Sequence, residues 1–310
     1  MAPLADFGVP DPAYGLLGKR IVVLGAGKVG SAAAVLLREA GFEIAAVTTR
    51  TAETAAAAAA RAGTVAGTDN AAAALLGDIV LVTTNDDATA GVVAEVASAG
   101  GFRAGQLVVH MSGALPLSVL GPAADAGTTI GCAHPLQAFA TVEDAVVAMR
   151  GAVFGITPGD GALGAMEALV AALGGHSMLV ADADKALYHA AAVVASNYLV
   201  AVEDLAVQLL MSAGFDEFSA QRALHPLAAG TLGNVGRLGT TDALTGPIVR
   251  GDVDTVRGHI DAVRPLPGPE LSLYRALGRH TLKIATRRGT LTAQQIAALA
   301  AVLAEEDAER

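Results

Sequence analysis

A lysine, a histidine and an asparagine interrupt an otherwise apolar stretch of this chain. Lys185 and His189 stand four residues apart and share one face of a helix, which Ala192, Ser196 and Asn197 continue. Such groups are costly to bury without purpose. Lys185 is therefore a candidate to donate a proton or to hold a substrate carboxylate. The alternative is a lysine in the first turn of a helix whose stem carries its charge out to water.

Three further polar clusters follow apolar runs. They are Thr83-Thr84-Asn85-Asp86-Asp87, His110-Met111-Ser112-Gly113 and His134-Pro135-Leu136-Gln137. In a doubly wound sheet, ligands lie outside the carboxyl ends of the strands, so three such clusters outline one pocket. Each has a plainer reading as well: Asp86 or Asp87 as a helix N-cap, His110 as a hydrogen-bonded strand end, Ser112-Gly113 as a turn. A fifth cluster runs from Leu244 to Asp252. Leu244 to Pro247 reads as a turn and Asp252 as an N-cap. Thr245 and Arg250 are its substrate candidates, Arg250 by bidentate binding of a carboxylate or phosphate or, equally, as a structural ion pair.

The elements that would position these groups begin with Ile21-Val22-Val23-Leu24-Gly25-Ala26-Gly27-Lys28-Val29-Gly30-Ser31. This is a strand, a tight Gly-x-Gly-x-x-Gly turn and the start of a helix. Gly25 suits the turn, Gly27 a close pyrophosphate and Gly30 close packing of helix on strand. Ala26, Lys28 and Val29 complete the turn, and the helix N-terminus offers free N–H groups to phosphates. The next strand ends in Thr48-Thr49-Arg50-Thr51 with no acid to hold a ribose 2′-hydroxyl. Thr49, Arg50 and Thr51 suit a 2′-phosphate instead. NADP(H) is the expected cofactor, with Thr83, Thr84, Asn85 and Ser112 bordering its nicotinamide end.

The 310 residues have room for two domains, and 53% of them are apolar, enough for a sizeable core. A net charge of −10 argues against nucleic acid or an anionic membrane. One cysteine, Cys132, fits a reducing cytoplasm and reads as a small buried hydrophobe. The N-terminus lacks the pattern of a signal peptide. Mean hydropathy is high at +0.51, but no clean apolar span of about 20 residues is found. The nearest, 186–202, reads as a buried helix at a subunit interface. No metal-ligand spacing and no nucleophile elbow is present.

Residues 1–17 read as a loose extension. From 18 to 181, strands alternate with helical patterns, the mark of βαβ units and a doubly wound parallel sheet. Strands are expected near 21–24, 42–50, 64–65, 78–84, 106–111, 128–133, 152–156 and 177–180. From 182 to 310 only helices are expected. The first starts at Asp182 or Asp184 and runs past Leu210, and the others lie near 216–233, 252–263, 268–288 and 292–305. The fold class is α/β, a Rossmann domain followed by an all-α domain that carries substrate and dimer contacts. Residues 305–310 read as a frayed end.

These residues resemble the Rossmann-like oxidoreductases whose C-terminal half is the domain of unknown function 2520. The resemblance rests on Gly25 to Gly30, Ser112-Gly113, His134 to Gln137, Lys185-x-x-Tyr188-His189-x-Ala191-Ala192 with Ser196-Asn197-Tyr198, and Leu244 to Asp252. That family is similar to the 6-phosphogluconate, β-hydroxyacid and ketopantoate dehydrogenases. The likeness implies Lys185 as general acid, although His189 stands where those relatives carry Asn. His134-Pro135 is similar to the His-Pro of prephenate dehydrogenases, where the histidine assists hydride transfer.

The resemblance implies NADPH-dependent reduction of a small 2-oxo acid, foremost ketopantoate, with Lys185 oriented by His189 or Asn197. Arg250, Ser112 or His134 would hold the carboxylate. An imine or pyrroline-5-carboxylate-like reductase and a prephenate-like dehydrogenase are the alternatives. A non-catalytic NADP-binding sensor is the alternative of another class. The expected partners are a small carboxylic acid and a second copy of the chain, with neither nucleic acid nor membrane.

Overall fold

The structure, a computed structural model, describes residues 15, 16 and 18–304. The expected extension, except Gly15 and Leu16, and the expected frayed end at 305–310 lie outside the described residues. Strand β1 (Arg20–Leu24) leads into helix α1 (Lys28–Glu39), and β2 (Glu43–Thr48) into α2 (Ala52–Ala62). The two-residue β3 (Ala66–Gly67) and α3 (Asn70–Ala74) precede β4 (Ile79–Val82) and α4 (Asp86–Ser98). Next come β5 (Leu107–His110), α5 (Gly121–Asp125), β6 (Thr129–Pro135), α6 (Val142–Met149), β7 (Val153–Pro158), α7 (Leu163–Ala172), β8 (His176–Leu179) and α8 (Lys185–Ala195).

The strands form one sheet in the order β3-β2-β1-β4-β5-β6-β7-β8. The first six follow the doubly wound dinucleotide-binding order and run parallel. The departure from a wholly parallel sheet is β7, which pairs antiparallel with β6 and sets Gly155 opposite His134. Its cause is local. Leu136 N–H, just past β6, bonds the Val153 carbonyl at 2.9 Å, so the chain re-enters at the end it left.

Alternation of side chains places Ile21, Val23, Ile79, Leu81 and Val109 in one buried layer with α1, α6 and α7. Val22, Leu24, Val80, Val82 and Val108 face a second layer with α3, α4 and α5. Each such side chain, removed from water, contributes about 1.5–3 kcal/mol. This two-sided burial holds the strand ends, and therefore the polar clusters, in fixed register.

The chain divides into two compact units between Asn197 and Tyr198, later than the expected 181/182 boundary. α8 stays with the sheet because Lys185 and Tyr188 bond to groups around β6. The second unit is built from α9 (Asn197–Ser212), α10 (Glu217–Ala243), α11 (Pro247–Arg250), α12 (Val253–Val263), α13 (Glu270–Arg288) and α14 (Ala293–Ala304). Its own core centres on Val256, Ile260, Leu282, Ala285, Leu299 and Leu303.

Three local expectations need correction. The long helix from 182 breaks at Ser196 (φ −121°, ψ −70°). Asp184 occupies the N-cap of α8 without a side-chain bond, and Asp182 instead accepts from Leu117 N–H at 2.8 Å. By length and composition the helical stretch Asp182–Ser212 is long and apolar enough to cross a membrane, and only 6% of its most apolar window is buried. The expected buried helix at 186–202 therefore presents an apolar surface in the single chain.

Candidate active site

A cavity of about 740 Å³ opens at the carboxyl ends of β1, β2 and β4. Gly25, Ala26, Gly27, Thr49, Arg50, Thr51, Thr83, Thr84 and Asn85 line it, as expected. Gly25 holds φ +84°, and a Cβ there would meet the Thr84 backbone nitrogen at 2.8 Å. A Cβ at Gly30 would strike Thr83 Oγ1 and Val23, so this position serves helix–strand packing and not the cavity. Gly27 differs. A Cβ there would meet only the Gly25 carbonyl, at 3.9 Å, so the bare backbone there answers no demand of the surrounding protein.

Gly27 is the N-cap of helix α1 and offers no side-chain bond, which leaves the first N–H groups for an anion. Lys28, Val29 and Gly30 form that first turn and do not line the cavity.

The far wall suits a second anion. Thr51 caps α2 through Thr54 N–H, and Thr49 Oγ1 lies 2.6 Å from Thr54 Oγ1. Hydroxyls, the Arg50 guanidinium and the N-terminus of an eleven-residue helix thus share one rim. No carboxylate follows Thr48, whose hydroxyl donates to Asn70 Oδ1 at 2.6 Å. These residues fit a phosphorylated dinucleotide. Thr54 and Arg61 also line the cavity and were not singled out from sequence. They sit on α2 one and three turns on from Arg50, a spacing that could have marked them. Asn85 is the N-cap of α4, and Asp86 and Asp87 fall in its first turn, so neither acid is the cap.

A second polar cluster forms where β5, β6 and α8 meet. Lys185 is only 3% exposed, which excludes a charge carried out to water. Its Nζ donates to Cys132 Sγ at 2.9 Å and to the Ser112 carbonyl at 3.3 Å. Cys132 Sγ also donates to that carbonyl at 3.2 Å. Burial pushes the thiol pKa up, with Lys185 opposing. His134 Nδ1 lies 2.9 Å from the Tyr188 hydroxyl. Burial, then His189 and Lys185, pull the His134 imidazole down to about 4. Burial pushes the Tyr188 phenol up to about 12.

His110 is fully buried and accepts from Ser112 N–H at 3.2 Å, the plainer of its two readings. Burial, then Lys185 and His134, lower its pKa to about 3. His189 stacks edge-on to His134 at 6.0 Å, and its Nδ1 is buried with no partner among the described residues. Gly113 fits between them: a Cβ there would meet His134 Cε1 at 2.7 Å and His189 Nδ1 at 2.8 Å.

Two expected roles change. The Ser112 hydroxyl accepts from Ala114 and Leu115 N–H, so it closes a turn, and only its carbonyl reaches Lys185. Asn197 is exposed at the start of α9. It lies beyond the break at Ser196 that ends α8, and the partners of Lys185 Nζ are Cys132 and the Ser112 carbonyl. Thr245 and Arg250 belong to the helical unit. Both are exposed, one in the turn before α11 and one at its last residue. Asp252 caps α12 by accepting from Thr255 N–H, as expected. Tyr188 and Cys132 were not named as site residues from sequence. The Tyr188-His189 pair, three and four residues after Lys185, was a visible signal for the first, and the second had none.

Comparison with known proteins agrees with this architecture. Residues 10–135 match the model of a Rossmann-like domain, and residues 152–281 match that of a domain of unknown function, DUF2520. The chain belongs with the proteins that join these two domains. No curated protein matches it. A candidate NADP oxidoreductase from Bacteroides fragilis is 25% identical with a TM-score of 0.69, over 86% of this chain and 98% of that one. A protein from Thermotoga maritima is 22% identical with a TM-score of 0.70, over 87% and 99%. A reductive aminase from Aspergillus terreus, solved with NADPH and ethyl-5-oxohexanoate, shares the fold at 18% identity and a TM-score of 0.56, over 92% of each chain.

Proposed function

We propose that this chain is an NADPH-dependent oxidoreductase that reduces a small 2-oxo acid, with ketopantoate to pantoate as the leading reaction. The observation that carries the reading lies within one compact unit. An anion-ready cradle ending on Arg50 shares the sheet's carboxyl edge with a buried, hydrogen-bonded Lys185. Likeness to a candidate NADP oxidoreductase and to an NADPH-bound reductive aminase supports the cofactor.

The cofactor, when bound, supplies a hydride. Gly25 to Gly27 and the start of α1 hold its pyrophosphate, and Thr49, Arg50 and Thr51 its 2′-phosphate. Lys185 protonates the developing alkoxide, its ammonium aimed by Cys132 and the Ser112 carbonyl. A single fully buried cysteine suits the cytoplasm.

Imine reduction is the second reading, favoured by the fold shared with the reductive aminase. NADPH oxidation, followed by absorbance, tests the first reading against it, with ketopantoate and a five-membered cyclic imine acid compared and NADH in parallel. Turnover with ketopantoate and NADPH is expected. Turnover with the imine alone moves the chain to the second reading.

A second copy of the chain is the proposed partner. On α9 and α10, Tyr198, Val200, Phe218 and Leu227 are each at least 60% exposed. Large exposed apolar side chains on these two helices are suited to contact with a second copy. Light scattering at micromolar concentration is expected to give a dimer, and a monomer would contradict this.

A further inference from the structure

We infer that Asp182 positions Lys185: its carboxylate holds the loop whose Ser112 carbonyl aims the ammonium. This rests on the reading of Lys185 as proton donor and adds a residue to that site. Loop 112–117 follows β5 and ends at a 3-10 turn, Leu117–Leu120. Three of its N–H groups bond locally. Ser112 N–H donates to His110 Nδ1, and Ala114 and Leu115 N–H donate to the Ser112 hydroxyl, each at 3.2 Å. Leu117 N–H instead donates to Asp182 Oδ1 at 2.8 Å, 65 residues away in the chain. The atoms fix the direction of that bond, because a backbone amide only donates and an ionised carboxylate only accepts.

Asp182 opens the 3-10 turn Asp182–Asp184 that leads into α8. Neither that turn nor α8 has a side-chain cap, so the carboxylate caps neither. The same two segments meet again at the other end of the loop. The Ser112 carbonyl accepts from Lys185 Nζ at 3.3 Å and from Cys132 Sγ at 3.2 Å, which engages both of its lone pairs. Loop 112–117 and segment 182–185 are therefore clasped twice, by Leu117 to Asp182 and by Ser112 to Lys185.

The inner contact has little slack. Ordinary N–H···O bonds run from about 2.7 to 3.2 Å, so the Lys185 bond is already long and a small further shift breaks it. The outer bond is short but exposed. It adds little to global stability and acts on alignment, where a misplacement of about 1 Å can cost about a hundredfold in rate.

The first arm of the test needs no substrate. Cys132 is the one cysteine of the chain, is fully buried and bonds to both sides of the inner contact. The rate at which a thiol reagent labels it reports release of the clasp. Asp182→Ala is expected to speed labelling about tenfold, the size of one net hydrogen bond, with no change in the denaturant midpoint. Asp182→Asn keeps an acceptor oxygen and is expected to label at the wild-type rate. Unchanged labelling in Asp182→Ala overturns the inference, and so does a rise that a fall in global stability accounts for.

Kinetics give a second arm. Asp182→Ala is expected to lower kcat about tenfold, with KM and NADPH affinity changed less than about twofold and Asp182→Asn close to wild type. Leu117→Pro removes the donor alone. Leu117 is the first residue of its turn, where proline is tolerated, and Pro116 before it is already extended (φ −72°, ψ 163°). Leu117→Pro is expected to reproduce the Asp182→Ala loss, and the double variant to lose less than about twofold more. Losses that multiply, or Asp182→Asn as slow as Asp182→Ala, overturn the inference. Should Leu117→Pro not fold, the two Asp182 variants decide alone. Absence of turnover with any carbonyl or imine substrate would sink the proposed function, and the labelling of Cys132 would still decide the clasp.

Discussion

The two halves of the candidate site are built by different means. The cradle at Gly25 to Gly30 is made of backbone: a positive φ, a bare helix N-terminus and close packing of Gly30 on Val23 and Thr83. The polar cluster is made chiefly of side chains that β5, β6 and α8 bring together from distant parts of the chain. Backbone preorganisation is local and binds what every dinucleotide shares. Side-chain preorganisation is long-range and can choose one substrate. The fold thus keeps its general function in a turn and its specific function in a tertiary contact.

The largest expected effect separates the halves cleanly. Lys185→Met, which fills the volume of the stem without its charge, should cut turnover by about 10²–10⁴, the usual worth of a positioned acid. NADPH affinity should change less than about twofold. Loss of NADPH binding would show that cluster and cradle are one device.

The converse substitution is Gly25→Ala. A forced positive φ and a contact with the Thr84 backbone should cost about 1–3 kcal/mol of stability. A denaturant melt together with an NADPH titration should show both properties falling. A variant as stable as the wild type would remove the steric account of the turn.

Arg50→Ala sharpens the cradle from its far rim. Loss of a charge-assisted contact predicts NADPH binding about tenfold weaker, with NADH unchanged. Calorimetry reads both. An equal loss for the two cofactors would place Arg50 elsewhere than on a 2′-phosphate.

The smallest effect is on pH dependence. His110 and His134 are held neutral in the folded chain, near 3 and 4 against 6.5 when unfolded. Below 6.5 the unfolded chain binds more protons, so stability is full above that pH and is lost progressively as pH falls through about 4 to 3. Thermal melts from pH 7 to 4 should show the decline, and His110→Asn should flatten it.

The cradle was legible in the sequence because its logic is short-range. Four apolar residues, three glycines at fixed spacing and an Ala/Leu helix have one common solution, and Arg50 after a strand whose tip carries no acid followed from it. The Asp252 cap was equally visible, since caps are local. The antiparallel turn of β7 was not visible, because a strand carries no mark of its direction. The pairing of Lys185 with Cys132 was hidden for a related reason. It joins residues from different elements, and only the assembled register of β5 on β6 brings Ser112 and Cys132 together beneath α8. Asn197 misled because helical spacing was extended across the break at Ser196.

The most direct test of the central claim is a calorimetric titration of the wild-type chain with NADPH and with NADH. The 2′-phosphate rim of Thr49, Arg50 and Thr51 predicts one site per chain and NADPH at least about tenfold tighter. NADH binding as tightly as NADPH, or no binding of either, would contradict it.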